Sequence, residues 1–451
     1  MIKITRLFWL LIVVTPTVVM MGGCVETKLA KATGKGAINA INAMPASPTV
    51  KFLIEGQALG DIDFKNSTGV REFDDITYNF NFEVTFLGES EPTQIASQMI
   101  DVVADINYTL VLTGSVTAPT LTLWERPERE WTDSETVFEV SIAHLSTSLG
   151  DVDVYVAPTG TGTGIPDIAY KLVSPSFGDR APEIDLEAGE YEITIGQGDA
   201  ILYQSYSVSF DARSSYTLAI LDADPSITGN ISVRSISDTG ISNELADSNF
   251  LPTLRTVHAA FGTGNIDIYA NENFTAPIFS NLGFGESTGD IPVTAGAVTY
   301  TYTSVGNLGV IINEESQIVP RGSRKSTIMI GLPGGNFESM KIIDDRRSIE
   351  THSKLRFIQA ATNFDPLDLY LIEADTDINN IAPMLASMTF GMAYEFVYKL
   401  ANKYELILTL PDEKTPIATS QQLDLLAGDV VEVLILDTVD PMVADVVITN
   451  F

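Results

Sequence analysis

One block of sequence occurs four times, and that periodicity constrains the fold more than any other feature. In its clearest form an apolar strand ends in a polar residue, a short turn follows, and an Asp-led strand begins. It reads Val140-Ser141-Ile142-Ala143-His144 followed by Asp151-Val152-Asp153-Val154-Tyr155, and again Leu254-Arg255-Thr256-Val257-His258 followed by Asn265-Ile266-Asp267-Ile268-Tyr269. A later copy has Leu355-Arg356-Phe357-Ile358-Gln359 followed by Asp365-Pro366-Leu367-Asp368-Leu369-Tyr370. The most divergent copy is read at Val50-Lys51-Phe52-Leu53-Ile54, followed by Asp61-Ile62-Asp63-Phe64-Lys65. A second block recurs in the same order: Tyr108-Thr109-Leu110-Val111-Leu112, Tyr216-Thr217-Leu218-Ala219-Ile220, Ser326-Thr327-Ile328-Met329-Ile330 and Val430-Val431-Glu432-Val433-Leu434. Two blocks repeated at matched spacing mean a chain of tandem modules, each of about 100 residues.

Each module reads as all-β. Val152, Val154 and Val156 alternate with Asp151, Asp153 and Tyr155, the period-two pattern of a strand with one wet face, which belongs in an antiparallel sheet. Gly, Pro, Asp and Ser clusters such as Gly160-Thr161-Gly162-Thr163-Gly164 separate short apolar runs. The pattern predicts tandem immunoglobulin-like β-sandwich domains. The boundaries are a targeting segment at 1–23, a flexible tether at 24–48, and sandwich repeats at 49–126, 137–240, 252–346 and 353–451. A short helical turn is expected near Ile381 to Met388. Polar linkers at Glu125–Thr136, Ser235–Ser248 and Asp344–Ser353 suggest an extended array with modest contacts between neighbours.

The N-terminus carries an address. Lys3 and Arg6 precede an apolar stretch, Leu7 to Met21, that is short for a membrane-spanning helix and contains Pro16. It ends in Met21-Gly22-Gly23-Cys24, which resembles the lipobox of bacterial lipoproteins with Met in place of the usual Leu. The resemblance implies lipidation at Cys24, the only cysteine in the chain. Val25 follows where retention at the inner membrane would need Asp, so the expected location is the outer membrane, on its periplasmic face or at the cell surface. The expected partners are membrane lipid through acylated Cys24, with other envelope proteins or surface polymers open. Nucleic acid is excluded, because 59 acids against 26 bases give a net charge of −33 that cannot neutralise phosphates. The oligomeric state is not readable.

The repeated blocks resemble the family known as domain of unknown function 4397, tandem β-sandwich units in exported bacterial proteins. The resemblance rests on a hydrophobic strand ending in His and followed by an Asp-hydrophobic-Tyr strand, as in His144 with Asp153-Val154-Tyr155 and His258 with Asp267-Ile268-Tyr269. Gln359 stands where His is expected in the last copy, and Ile54 in the first. The resemblance implies fold and export, with no assigned activity.

Chemistry-bearing residues are few. His144 and His258 are one per module, too few for a zinc site, and read as strand-end residues bonding a turn carbonyl. His352 lies in a linker and reads as solvated. Asp375, Asp377 and Asn379 alternate as calcium ligands do, but an EF-hand needs Gly at the position of Asn380 and Glu at that of Ala386. Asp222 with Asp224, and Asp437 with Asp440, also suggest a cation between domains. The glycine loop at 160–164 opens no helix and so lacks a phosphate site. The aromatic C-terminus, Phe451, reads as the end of the last sandwich strand. No catalytic residue, cofactor or metal is assigned. The expectation is a non-catalytic, lipid-anchored envelope protein for binding, adhesion or scaffolding. The alternatives are a periplasmic carrier of a small ligand or divalent cations, and an exported carboxylate- or metal-dependent hydrolase.

Overall fold

A computed structural model describes residues 32–162, 164–173, 175–331, 336–374 and 376–451. The targeting segment, Cys24 and Asp375 lie outside the described residues. The chain forms four consecutive β-sandwiches, each made of two sheets, with sheet strands falling within 35–127, 137–245, 253–343 and 353–450.

In each unit a leading strand and a return strand lie side by side. The leading strands are Lys35–Asn42, Val137–His144, Thr253–Ala259 and Ser353–Gln359; the return strands are Ile106–Ser115, Ser215–Asp222, Arg324–Gly331 and Val430–Asp437. Each leading strand pairs parallel to its return strand, with Asn42 opposite Leu112, His144 opposite Ile220, His258 opposite Met329 and Gln359 opposite Ile435. The Asp-led strand Asp153–Pro158 lies in an antiparallel sheet, as its alternation implies, and the parallel pair is a feature of the other sheet. Parallel strands are buried on both faces, and the leading strands at Thr253–Ala259 and Ser353–Gln359 are buried at every residue.

The second face is covered by a neighbouring unit. Along the last return strand, Val431, Val433 and Ile435 enter the core of their own sandwich, while Leu434 and Leu436 join Val257, Ile328, Ile330 and Ile358 in a cluster shared with the third unit. Likewise Leu218 and Ile220 serve the second unit's core, and Ala219 and Leu221 meet Ile41, Val111 and Ala143 between the first and second units. The units therefore form two face-to-face pairs, first with second and third with fourth.

The pairs also touch each other, so the chain is a closed body where an extended array was expected. Between the second and third units the amide of Thr228 donates to Gly322 O at 2.8 Å. Between the first unit and the approach to the fourth, Glu350 N–H donates to Ala46 O at 2.8 Å and Arg347 to Ser47 O at 2.6 Å. The linkers take part in this closure. Within the segment read as the second linker, Ser242–Leu245 adds an edge strand, and Ser67 Oγ of the first unit donates to Gly240 O at 2.6 Å.

Three further local readings change. Residues 35–42, assigned to the tether, are the first unit's leading strand, because Ile38 and Ala40 are needed in its core. The divergent first copy is consequently misregistered: Val50–Ile54 lies in the other sheet and corresponds to the Asp-led strand, and Asn42 takes the place of His144 and His258. The helical turn falls earlier, as the 3-10 turn Ile378–Asn380, and Leu385–Met388 is a strand.

Ile358 is fully buried in the cluster between the third and fourth units. Ile358→Ala is expected to cost about 2–5 kcal/mol, read as a lowered urea midpoint of the wild-type unfolding transition.

Candidate functional site

The recurrent polar residues sit at equivalent points in all four units. Asn42, His144, His258 and Gln359 end the leading strands and are at most 1% exposed. Each bonds backbone around the crossing that follows, and His258 and Gln359 bridge the loop there from both ends. His258 Nδ1 accepts from Ala260 N–H at 3.3 Å and Nε2 donates to Gly264 O at 2.8 Å, which defines a neutral Nε2–H tautomer. Gln359 repeats the arrangement with Oε1 accepting from Ala361 N–H at 2.9 Å and Nε2 donating to Phe364 O. Asn42 Oδ1 accepts from Met44 N–H at 3.0 Å, while its Nδ2 donates to Ser47 Oγ at 2.9 Å in the loop and to Ile62 O at 3.1 Å at the end of the strand Gln57–Ile62. His144 donates to Gly150 O at 3.0 Å. Three residue types fill one role, satisfying buried backbone groups as the chain crosses between sheets. A shared acid–base role does not survive replacement of His by Asn and Gln.

The Asp of the repeated motif also holds backbone. Asp267 accepts from Asn281 N–H at 2.9 Å and Gly306 N–H at 2.8 Å, and Asp368 from Ser387 N–H at 2.7 Å. Asp153 instead pairs with Lys171 at 2.7 Å. At the ends of two return strands, Asp222 accepts from Ser146 Oγ at 2.5 Å and Ser148 N–H at 2.9 Å, and Asp437 from Thr362 N–H at 2.7 Å and Asn363 N–H at 2.9 Å. Burial works to raise the Asp222 pKa, but the Ser146, Ser148 and Thr147 bonds hold it below the ordinary value.

The calcium candidates are used locally. Asp377 caps the 3-10 turn, accepting from Asn379 N–H at 3.0 Å and Asn379 Nδ2 at 2.7 Å. Those bonds lower its pKa. Among the described residues no group of three or more His, Cys, Asp or Glu is gathered to hold a metal ion. His352 is buried, against expectation: its ring meets Tyr398 edge-on at 4.9 Å. Burial, then Arg347 and Lys354, lower its pKa.

Charge gathers between units. Arg255 and Glu432, with side chains 4% and 3% exposed, pair at 2.6 Å across the third and fourth units. Arg346 bonds both carboxylate oxygens of Asp290 at 2.8 Å and reaches Asp344 at 2.7 Å. The Phe451 ring lies against the guanidinium groups of Arg255 and Arg346, at 4.9 and 4.8 Å. Lys65 of the first unit pairs with Asp224 and Glu244 at 2.7 and 2.9 Å. The sequence flags part of this pattern, because Arg255, Arg356 and Glu432 interrupt otherwise apolar strands. It does not reveal which distant residue answers each one.

Open space also lies between units. A cavity of about 620 Å³ lies where all four units converge, with Lys65, Asp224, Arg324, Asp345 and Tyr398 in its wall. A cleft of about 320 Å³ separates the first unit from the approach to the fourth, and presents Lys51, Asp61, Glu83 and Tyr398. Its polar row is built by register: Lys51 stands opposite both Asp61 and Glu83, on the face away from Val50 and Phe52. A ring, a cation and two carboxylates can hold a polar ligand by contact and hydrogen bonding.

The model of a family described as "Domain of unknown function (DUF4397)" matches residues 36–155 and 252–370, more than half of the chain. Each match covers the first unit of a pair and the leading portion of the second. No curated protein matches by sequence. Among solved structures, the Bacillus anthracis TIE protein matches at 12% identity over 90% of this chain and 69% of that chain, with a TM-score of 0.15. The CBMbc module (family CBM26) of Eubacterium rectale Amy13K, solved in complex with maltoheptaose, matches at 10% identity over 44% of this chain and 97% of that chain, with a TM-score of 0.16.

His258→Gln is expected to reproduce the Gln359 arrangement and stay within about 1 kcal/mol of wild type, whereas His258→Ala loses about 1–3 kcal/mol by orphaning buried backbone groups. Burial holds the folded His258 pKa below the 6.5 of the free side chain. Its contribution is therefore complete above pH 6.5 and is lost as pH falls through the folded value. Denaturation midpoints from pH 7 to pH 5 should fall less steeply for His258→Gln, the remaining slope including His352. Separately, Arg255→Met leaves Glu432 buried without its partner and is expected to cost about 3–5 kcal/mol in chemical denaturation.

Proposed function

We propose, for a chain that belongs to the family described as Domain of unknown function (DUF4397), a non-catalytic binding or scaffolding role at the bacterial cell envelope. The observation that carries this reading is the use made of the recurrent polar side chains. Asn42, His144, His258 and Gln359 are committed to backbone at the crossing between sheets, and Asp222 and Asp437 to the loops after His144 and Gln359. What the repeat preserves is therefore a way of closing a sandwich. Ligand contact falls to surfaces that differ between units, foremost the cleft beside Tyr398.

The Met21-Gly22-Gly23-Cys24 segment supports acylation at Cys24 and attachment to the outer membrane. More than one hydrocarbon chain gives stable anchoring. The acidic body, with a net charge of −33, stays soluble on its tether and repels anionic polymers. Envelope fractionation of cells producing the Cys24→Ser variant tests the anchor. The variant is expected to leave the membrane fraction while the wild type remains there; a variant that stays membrane-bound without any second membrane contact refutes lipidation at this residue.

A further inference from the structure

In every unit a hairpin follows the Asp-led strand, and its turn lies at the same end of the sandwich. In the first unit Thr77–Val84 leads to Thr93–Asp101, and the turn carries Glu89 and Glu91. In the second, Gly189–Gln197 leads to Ala200–Gln204 through Gly198-Asp199. In the fourth, Asn402–Thr409 leads to Pro416–Thr419, and the turn holds Asp412 and Glu413. The third unit departs from this pattern. Its strands, Gly296–Ser304 and Asn307–Val319, contain no charged residue before Glu314, and the uncharged run begins directly after Asp290.

The tip is also enlarged. Ser304 pairs with Asn307 but Thr303 pairs with Ile311, so residues 308–310 loop out of the ladder. Val305, Leu308 and Val310 are each 45% exposed, and Ile311 is 57% exposed. The turn is held in place, since Asp267 accepts from Gly306 N–H at 2.8 Å and Asn307 Oδ1 from Gly309 N–H at 3.0 Å. In the first unit the corresponding apolar residues, Phe86 and Leu87, are half-buried, and Leu87 lines the cleft against the fourth unit. The third unit's tip has no such cover among the described residues.

We propose that this hairpin tip inserts shallowly into the surface of a bilayer with net-neutral headgroups. Charge selects this occupant. The other three tips carry acids and would be repelled or costly to dehydrate at a lipid surface, whereas this one brings only aliphatic side chains, Gly and Asn. Four side chains are also too small a patch for a stable protein interface, which buries about 1,200 Å² or more. A second copy would bring two strongly acidic bodies together. The looped backbone at 308–310 limits the depth, because unpaired amides are not tolerated in hydrocarbon. The contact is independent of Cys24, and with an acyl anchor it would hold the body at a fixed attitude to the membrane.

Among the described residues every strand begins at or after Lys35, so a chain starting at Val25 keeps all of these strands and lacks Cys24. Co-sedimentation of this form with phosphatidylcholine vesicles, with vesicles containing anionic phosphatidylglycerol, and without lipid tests the proposal. Binding to phosphatidylcholine, weakened by phosphatidylglycerol, is expected. The Leu308→Asp/Ile311→Asp variant should bind at least about 10-fold more weakly, since each charge at the interface opposes partitioning. Ile318→Asp, an exposed aliphatic on the same strand away from the tip, should bind as wild type; circular dichroism and melting of both variants report folding. Absence of vesicle binding, binding only to anionic vesicles, or equal loss from both variants overturns the proposal. So does a concentration-dependent mass increase abolished by the double variant without vesicle binding, which would make a second copy the occupant. Because a bilayer-bound tip would also hold the Cys24→Ser variant, the envelope fractionation is repeated with Cys24→Ser combined with Leu308→Asp/Ile311→Asp, so that only a triple variant still on the membrane counts against the anchor.

Discussion

The parallel contact between leading and return strands is the constraint from which the rest follows. A strand in such a pair points alternate side chains to two faces, and both are apolar here. Val433 and Ile435 fill one sandwich while Leu434 and Leu436 reach toward another. A unit with this pair at the centre of a sheet cannot bury both faces alone. It needs a second sheet of the same kind, and the pairing of first with second and third with fourth unit supplies it. The alternation at the strand ends agrees: Asp222 and Asp437 close the return strands of the second and fourth units, where the first and third have Gly114 and Gly331. The chain is organised as a duplicated pair as much as a fourfold repeat.

Burying two sheets against each other leaves charged residues inside the contact. Arg255 and Glu432 lie on the same faces as Val257 and Leu434, and their bond brings two desolvated charges into one another's reach. Desolvation offsets much of what such a pair gains, so its stability is modest, but either residue alone is strongly unfavourable there. The arrangement favours one partner face over any other apolar sheet.

Much of the architecture was legible in the sequence because strand alternation and repeated spacing are local signals. The sandwiches, their number and the role of His258 as a carbonyl-bonding strand end all follow from them. The first unit was misregistered because Asn42 carries the clamp there in place of His, and residues 35–42, KGAINAIN, are too small and polar to read as a core strand in isolation. Closure of the four units was not legible either. It depends on single backbone contacts such as Glu350 with Ala46, for which no residue pattern exists. The linkers looked like spacers because they are polar, yet polar residues such as Arg346 and Arg347 are what bond one unit to the next.

The distance along the chain between leading and return strands has a consequence for how the protein is made. A sandwich whose first strand pairs with one of its last has a high contact order, and such topologies form slowly. During synthesis the leading strand emerges long before its neighbour exists, with both apolar faces uncovered and its edge amides free. The same holds again one level up, since the first unit must wait for the second before its outer sheet is covered. Such a nascent chain exposes apolar surface until its partner strand emerges, and charged turns and short edge strands are the features of the fold that oppose premature association in that interval.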